Sequence, residues 1–124
     1  MTAERILEIL KDLHGKSGKI KACMVARKGL EGVVMFPESF KKDAGPVWEP
    51  LSKTLDDILQ MIGKYAAYGI DKICLEAFGF LIVFYVIEMS DTALMVFLRQ
   101  EEDSMKKLLE LSSEIDKARK KIIE

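Results

Sequence analysis

The sequence has few of the residue types from which metal and covalent-catalysis sites are most often built. Among 124 residues there is one histidine, His14, and there are two cysteines, Cys23 and Cys74. The cysteines lie far apart and neither belongs to a C-x-x-C pair, so the spacing of a zinc site is missing. We therefore expect no metal ion and no cofactor. We also expect both thiols to be reduced and buried, as is typical of a cytoplasmic protein.

Long apolar runs and an excess of one charge are also missing. The longest apolar stretch, residues 80–87, is far shorter than the roughly 20 residues that cross a bilayer. The first residues carry acids and no apolar signal segment, so we expect neither secretion nor membrane insertion. The 19 basic and 20 acidic residues are interspersed and give a net charge of −1. This balance argues against nucleic acid or an anionic membrane as a partner.

What the sequence does have is a high apolar content, 49% of its residues, arranged with clear periodicity. Apolar residues at three- and four-residue steps predict three amphipathic helices. Alternating or continuous apolar runs, separated by turn residues, predict five strands. The predicted helices cover residues 3–13, 50–68 and 104 onward, and the predicted strands cover 20–28, 33–36, 71–78, 80–88 and 92–99.

The order of these elements predicts a single α/β (α+β) domain over residues 1–124. Short turns between neighbouring strands imply antiparallel pairing, and the strand 80–88, apolar on both sides, needs cover on both faces. We therefore expect a five-stranded antiparallel sheet sandwiched between helices in the order α-β-β-α-β-β-β-α. The proline-containing stretch 37–49 is predicted to be a loose loop.

Three residues, Gly15-Lys16-Ser17, match the end of a phosphate-binding P-loop. In the full motif four residues separate a first glycine from this group, and this sequence has Leu10 in place of that glycine. It also needs a strand before the loop and a helix after it, so that the helix N-terminus faces phosphate. Here the predicted order is helix and then strand. A helix ending at Gly15 in a left-handed conformation, with His14 on the surface of its last turn, is the favoured interpretation.

The acidic residues do not form a recognisable catalytic set. Asp56 and Asp57 are adjacent on a predicted helix, so they diverge by about 100° and point to solvent separately. Glu76 is the lone acid within "ICLEAF". A charge tolerated at a sheet edge is the favoured interpretation, and a catalytic base or a charge that pairs across a subunit boundary are the alternatives. Without a nucleophile, base and orienting group together we expect no enzyme. A thiol enzyme using Cys23 or Cys74 is a separate hypothesis.

The helix predicted over 50–68 is apolar over about 180° of its surface, whereas about 100° suffices to face one core. One apolar stripe suits the core of the subunit. A second, which we call the outer stripe, suits a protein partner because it is rich in methionine and tyrosine. The remaining positions form a polar face. The inner stripe is Leu51, Leu55, Leu59, Ile62 and Ala66; the outer stripe is Thr54, Ile58, Met61, Tyr65 and Tyr68; the polar face is Lys53, Asp56, Asp57, Gln60 and Lys64.

Two segments resemble the Roadblock family, the dynein light-chain Roadblock proteins and their bacterial and archaeal relatives. The first is the hairpin "ACMVARKGLEGVVM" at residues 22–35. The second is "GIDKICLEAFGFLIVFYVIEMSDTALMVFL" at residues 69–98, in which Gly69 and Asp71 precede a strand carrying Glu76, and Gly79 opens the next strand. The closing amphipathic helix is similar as well, so the resemblance covers nearly the whole chain.

The resemblance implies a Roadblock-like (profilin-like) fold and a non-enzymatic homodimer that regulates or scaffolds a small Ras-like GTPase. In such dimers the second helices pack together and the third strands pair, which implies an interface of the outer stripe with Lys72, Cys74 and Glu76. The polar face would remain for the GTPase. An alternative is a small-molecule sensor of the PAS or GAF type, which would require a pocket between sheet and helix.

Overall fold

A computed structural model describes residues 2–87 and 91–123 of the chain. The four helices and five strands follow the predicted order, apart from one additional short helix. Short 3₁₀ turns occupy Lys28–Leu30 and Gly45–Val47. The elements are α1 (Ala3–His14), β1 (Ile20–Arg27), β2 (Glu31–Phe36), α2 (Phe40–Ala44), α3 (Trp48–Ala66), β3 (Lys72–Ala77), β4 (Phe80–Val86), β5 (Thr92–Arg99) and α4 (Ser104–Ile123).

The strands form one antiparallel sheet in the order β2-β1-β5-β4-β3. β1 pairs on one side with β2, which follows it after a short turn, and on the other side with β5, which is distant in sequence. β4 pairs with its sequence neighbours β3 and β5. The most apolar strands, β4 and β5, lie inside the sheet, and β3 lies at its edge. The predicted five-stranded antiparallel sheet and the α+β class are therefore confirmed.

Helices cover both faces of the sheet, and each face has its own apolar core. α1 and α4 pack on one face, with Leu10 and Ile115 among the buried side chains. α2 and α3 pack on the other, with Leu55 and Phe97 among them. Because side chains alternate along a strand, β4 and β5 contribute to both cores, as their apolar sequences predict. No helix among the described residues is both long enough and apolar enough to cross a membrane.

The stretch 37–49 is not the loose loop that its prolines suggest. It contains α2, and α3 begins at Trp48, two residues before Pro50. Phe40 is only 4% exposed, and its ring lies 5.0 Å from that of Phe97 and 5.4 Å from that of Phe80. A buried aromatic ring anchors this segment, which proline and glycine content alone does not indicate.

Smaller expectations also need correction. Thr2 caps α1 as a serine or threonine should, accepting a hydrogen bond from the Arg5 N–H, but Gly15 ends the helix in a right-handed conformation (φ −71°). Met105 and Leu109, which share the apolar arc of α4, are 44% and 67% exposed. Residues Glu88, Met89 and Ser90, expected as a strand end and turn, lie outside the described part of the chain.

Candidate protein-interaction surface

α3 buries the first four residues of its inner stripe against the sheet. Leu51, Leu55, Leu59 and Ile62 have no exposed surface. Pro50 stands in the first turn, where its missing N–H leaves no helical hydrogen bond unmade. The stripe stops one turn early, because Ala66 at the end of the helix is exposed. The inner stripe therefore fixes the rotation of α3 about its axis, and with it the direction in which every other residue of the helix points.

The outer stripe remains at least partly uncovered in the single chain. Thr54 and Ile58 are half-buried, whereas Met61 and Tyr65 are each 37% exposed. Tyr68, predicted as part of the helix, lies beyond its end at Ala66 and is 84% exposed. The Tyr65 hydroxyl lies 3.7 Å from the Met61 sulfur, so these two side chains lie together one turn apart. Methionine and tyrosine in such a position are typical of a protein contact surface.

The edge strand β3 presents its two faces to different environments. Ile73 and Leu75 are half-buried and pack against the same core as α3. Lys72, Cys74 and Glu76 are exposed and lie on the opposite face, the side of α4. The interface residues expected from the resemblance therefore lie on two different faces of the sheet. The outer stripe is on the α3 face and the three β3 residues are on the α4 face, because successive strand residues point to opposite faces.

Ile73 and Leu75 are the surface residues that sequence reasoning missed. They lie on the same face of the sheet as the outer stripe and add apolar side chains at the sheet edge. The alternation of apolar and polar residues in "KICLEA" contains this information. This alternation identifies the interface residues only when the face of the sheet covered by α3 is known, and the tertiary packing decides that face.

The polar side chains of β3 have partners within the chain. The Lys72 ammonium lies 5.1 Å from the centre of the Tyr85 ring, and the Glu76 carboxylate accepts a hydrogen bond of 3.1 Å from the Gln100 amide. Cys74 lies between them and is exposed, which corrects the expectation of two buried thiols. Partial burial, and then the neighbouring Glu76 charge, raise the pKa of the Cys74 thiol.

Arg119 of α4 holds the beginning of β3 in place. Its guanidinium lies 3.2 Å from the Asp71 carboxylate, also hydrogen-bonds Asp116, and stacks over the Tyr85 ring at 5.3 Å. The side chain is only 14% exposed. Burial acts to raise the pKa of Asp116, but hydrogen bonds and charges from Arg119 and Lys120 outweigh it and lower that pKa. α4 thus supports the edge strand from the face opposite α3.

Four residues of the polar face are exposed, and Asp56 is the exception. Its carboxylate is half-buried and accepts hydrogen bonds from the Gly29 N–H of the β1–β2 turn and from the Gln60 amide at 3.4 Å. The expectation that Asp56 points to solvent is therefore wrong; it ties α3 to the first hairpin. Lys53 lies 3.7 Å from Glu49 in an exposed ion pair, while Asp57 and Lys64 are exposed.

Of the residues considered for catalysis, Cys23 and His14 lie apart from this surface, and His14, expected to be exposed, is half-buried. The Cys23 thiol is fully buried, which raises its pKa to about 12. His14 packs edge-to-face on the Phe36 ring, 5.2 Å between centres. Gly15 and Lys16 leave α1 and lead into β1, so the loop has the helix-then-strand order predicted for it. Among the described residues no three His, Cys, Asp or Glu side chains are grouped as metal ligands would be.

A ligand pocket of the sensor type would lie between the sheet and α3. In the described part of the chain that space is filled by side chains with no exposed surface, including Leu55, Phe84 and Phe97. A cleft of about 1020 Å³ lies elsewhere, between the C-terminal ends of α3 and α4. The sensor hypothesis thus lacks its required cavity in the described structure.

Comparison of the sequence with models of protein families gives no match, and comparison with curated proteins finds no similar sequence.

Proposed function

We propose that this chain is a Roadblock-like, non-enzymatic protein of the cytoplasm that forms a homodimer and binds a small Ras-like GTPase as a regulator or scaffold. One observation carries the proposal: the partly exposed outer stripe of α3 lies on the same face as Ile73 and Leu75 of the uncovered edge strand. The element order and the two sequence segments that resemble the Roadblock family support the same conclusion.

The homodimer follows from what a single chain leaves uncovered. An edge strand presents unpaired backbone N–H and C=O groups that favour pairing with another strand. A symmetric dimer covers such an edge with the same surface of both subunits. When β3 strands pair, the two α3 helices come to lie side by side on one face of the joined sheet. Burial of Met61 and Tyr65 there would add to the stability of the dimer.

The polar face of α3 is the surface to which we assign binding of the GTPase. Asp57 and Lys64 are exposed beside the outer stripe and would stay accessible after dimerisation. A mixed-charge surface of this kind favours a specific protein partner, because complementary charges guide orientation and disfavour wrong partners. The dimer would supply a docking surface for the GTPase, or would position the catalytic residues of the GTPase itself.

The proposal is tested by capture of GTPases from native lysate on immobilised protein, with the lysate supplied either with GDP or with a non-hydrolysable GTP analogue. We expect one or a few small GTPases to be enriched on the wild-type protein. Reversal of two polar-face charges, Asp57→Lys with Lys64→Glu, should reduce their recovery about tenfold, because each reversal replaces attraction by repulsion. Mass spectrometry of the bound fraction measures the recovery.

A matched control is the variant Arg5→Glu with Glu8→Arg, which exchanges an exposed ion pair on α1 and also leaves the net charge unchanged. It should recover as much GTPase as the wild type. Absence of any enriched GTPase on the wild-type protein, in either nucleotide state, contradicts the proposed function.

A further inference from the structure

The backbone N–H and C=O groups of successive β3 residues point alternately toward β4 and toward the open edge of the sheet. The Val86 N–H donates to the Asp71 carbonyl, 2.8 Å, and continuing the β3–β4 register by one pair beyond Lys72 and Tyr85 places these residues opposite each other. Residues that exchange hydrogen bonds with the neighbouring strand recur at every second position. Asp71, Ile73 and Leu75 therefore turn their N–H and C=O groups toward β4. Those of Lys72, Cys74 and Glu76 point to the open edge.

Only a few pairings of two β3 strands are compatible with a symmetric dimer. A two-fold axis through an antiparallel pair places one residue opposite its own copy, and the remaining residues pair symmetrically around it. A shift of the central residue by one position changes every facing pair. The identity of the central residue therefore defines the whole interface.

We propose that a second copy of this chain pairs with β3 in the register that places Cys74 opposite Cys74 of the partner subunit. Lys72 then lies opposite Glu76 of the partner subunit, and Glu76 lies opposite Lys72 of the partner subunit. This inference rests on the homodimer of the proposed function. It adds the register and the two ion pairs that select it.

Charge complementarity distinguishes this register from its neighbours. With Leu75 at the centre, Lys72 would face Phe78 and Glu76 would face Cys74. With Ile73 at the centre, Lys72 would face Cys74 and Glu76 would face Ile70. Centres at Lys72 or Glu76 would place like charges opposite each other, which is destabilising. The Cys74 register alone among these five pairs both charges with an opposite charge.

The other face of the strand agrees with the same register. Ile73 lies opposite Leu75 of the partner subunit, so the apolar surface of the α3 face becomes continuous across the two subunits. β3 pairs with β4 without a bulge from Lys72 to Ala77 and contains no proline, so its edge is regular enough to accept a strand. Because all three edge-facing residues are paired, the contact makes a continuous ladder.

The existing contacts of the charged residues are compatible with the ion pairs. Lys72 contacts the Tyr85 ring, and its ammonium has three donors. Glu76 uses one carboxylate oxygen toward Gln100 and can accept further hydrogen bonds. Both residues are exposed, so their charged groups are accessible to a partner subunit.

Charge reversal tests the register. Lys72→Glu places two acids opposite each other twice in the dimer, and Glu76→Lys does the same with bases. Each single variant should raise the dimer dissociation constant about tenfold. The double variant Lys72→Glu/Glu76→Lys restores both ion pairs in reversed order, and its dissociation constant should return to within about threefold of wild type. Analytical ultracentrifugation in 0.15 M salt measures all four proteins.

A mixing experiment gives a second test. The Lys72→Glu and Glu76→Lys chains should prefer each other to themselves, because only the mixed dimer has opposite charges at both contacts. Arg5→Glu and Glu8→Arg chains carry equal changes in net charge on α1, which packs on β1 and β2, and should show no preference. Native mass spectrometry counts the mixed dimers.

Two results would overturn the inference in different ways. Wild-type dimers with single variants of unchanged affinity would overturn the register and leave the homodimer intact. A wild-type chain that is still monomeric at a protein concentration on the order of 100 μM would overturn the homodimer and the register together.

Discussion

Cys23 and Cys74 differ in the properties that govern thiol chemistry. Cys23 is fully buried among side chains of β1, β5 and the helices of the α1–α4 face, and burial raises its pKa to about 12. Cys74 is exposed at the sheet edge. Because the thiolate is the nucleophile, a raised pKa lowers the reactive fraction at neutral pH. The buried environment of Cys23 therefore argues against a role for this thiol as a catalytic nucleophile.

This contrast predicts slow labelling of Cys23. In a Cys74→Ala variant the remaining thiol should be essentially unreactive toward maleimide at pH 8, where about one in ten thousand thiols with this pKa is ionised. The reactive fraction should rise tenfold per pH unit up to the pKa. Intact-protein mass spectrometry measures the labelling, and protein unfolded in guanidinium provides the fully reactive control. Fast labelling of native Cys23 would revive the thiol-enzyme hypothesis.

At the scale of elements, the 37–49 segment illustrates how one aromatic residue can order a stretch rich in turn formers. Phe40 brings α2 against Phe80 of β4 and Phe97 of β5, and its ring also lies 6.3 Å from that of Trp48 at the start of α3. The segment thus positions the N-terminal end of α3. A substitution that disrupts the packing of α2 should therefore also change the position of α3, the helix that carries the outer stripe.

Phe40→Ala tests this role. The substitution should lower the free energy of unfolding by about 3–5 kcal/mol, because it removes a buried aromatic ring and leaves a cavity. Urea denaturation followed by circular dichroism measures the loss. Lys42→Ala, at an exposed position of the same helix, should change the free energy by less than about 0.5 kcal/mol. A loss below about 1 kcal/mol for Phe40→Ala would mean that α2 contributes little to the core.

At the scale of the whole molecule, one sheet serves two cores, and an apolar margin remains at its β3 edge. The α1–α4 face and the α3 face are both filled by buried side chains, but the outer stripe and the β3 edge are not covered by the described part of the chain. This asymmetry explains why a second subunit, rather than a ligand within the core, is the occupant that we propose.

If the proposed dimer forms, Met61→Glu with Tyr65→Glu should convert it to monomers at micromolar concentration, because four carboxylates would be buried in the interface without partners. Multi-angle light scattering measures the mass. Gln60→Glu with Lys64→Gln changes the net charge by the same amount on the polar face and should remain dimeric. The melting temperature should rise with protein concentration for the wild type and not for the monomeric variant.

Local pattern determined most of the secondary structure. The periodicity of residues 3–13 and 92–99, for example, predicted α1 and β5 almost to the residue, because amphipathic spacing and strand alternation depend only on neighbouring side chains. The exposed edge position of β3 was predictable for the same reason. The width of the apolar arc on α3 likewise indicated a surface that one subunit leaves partly open.

Only the tertiary structure decided which side of the sheet each surface occupies. α3 packs on the face of the sheet that carries Ile73 and Leu75, and Lys72, Cys74 and Glu76 lie on the opposite face; no local pattern specifies this choice. Phe40 was read as part of a loop and Asp56 as a solvent-facing acid, because their partners, Phe97 and Gly29, are distant in sequence. Long-range contacts of this kind form only when the whole chain packs, so they are absent from any short window of sequence.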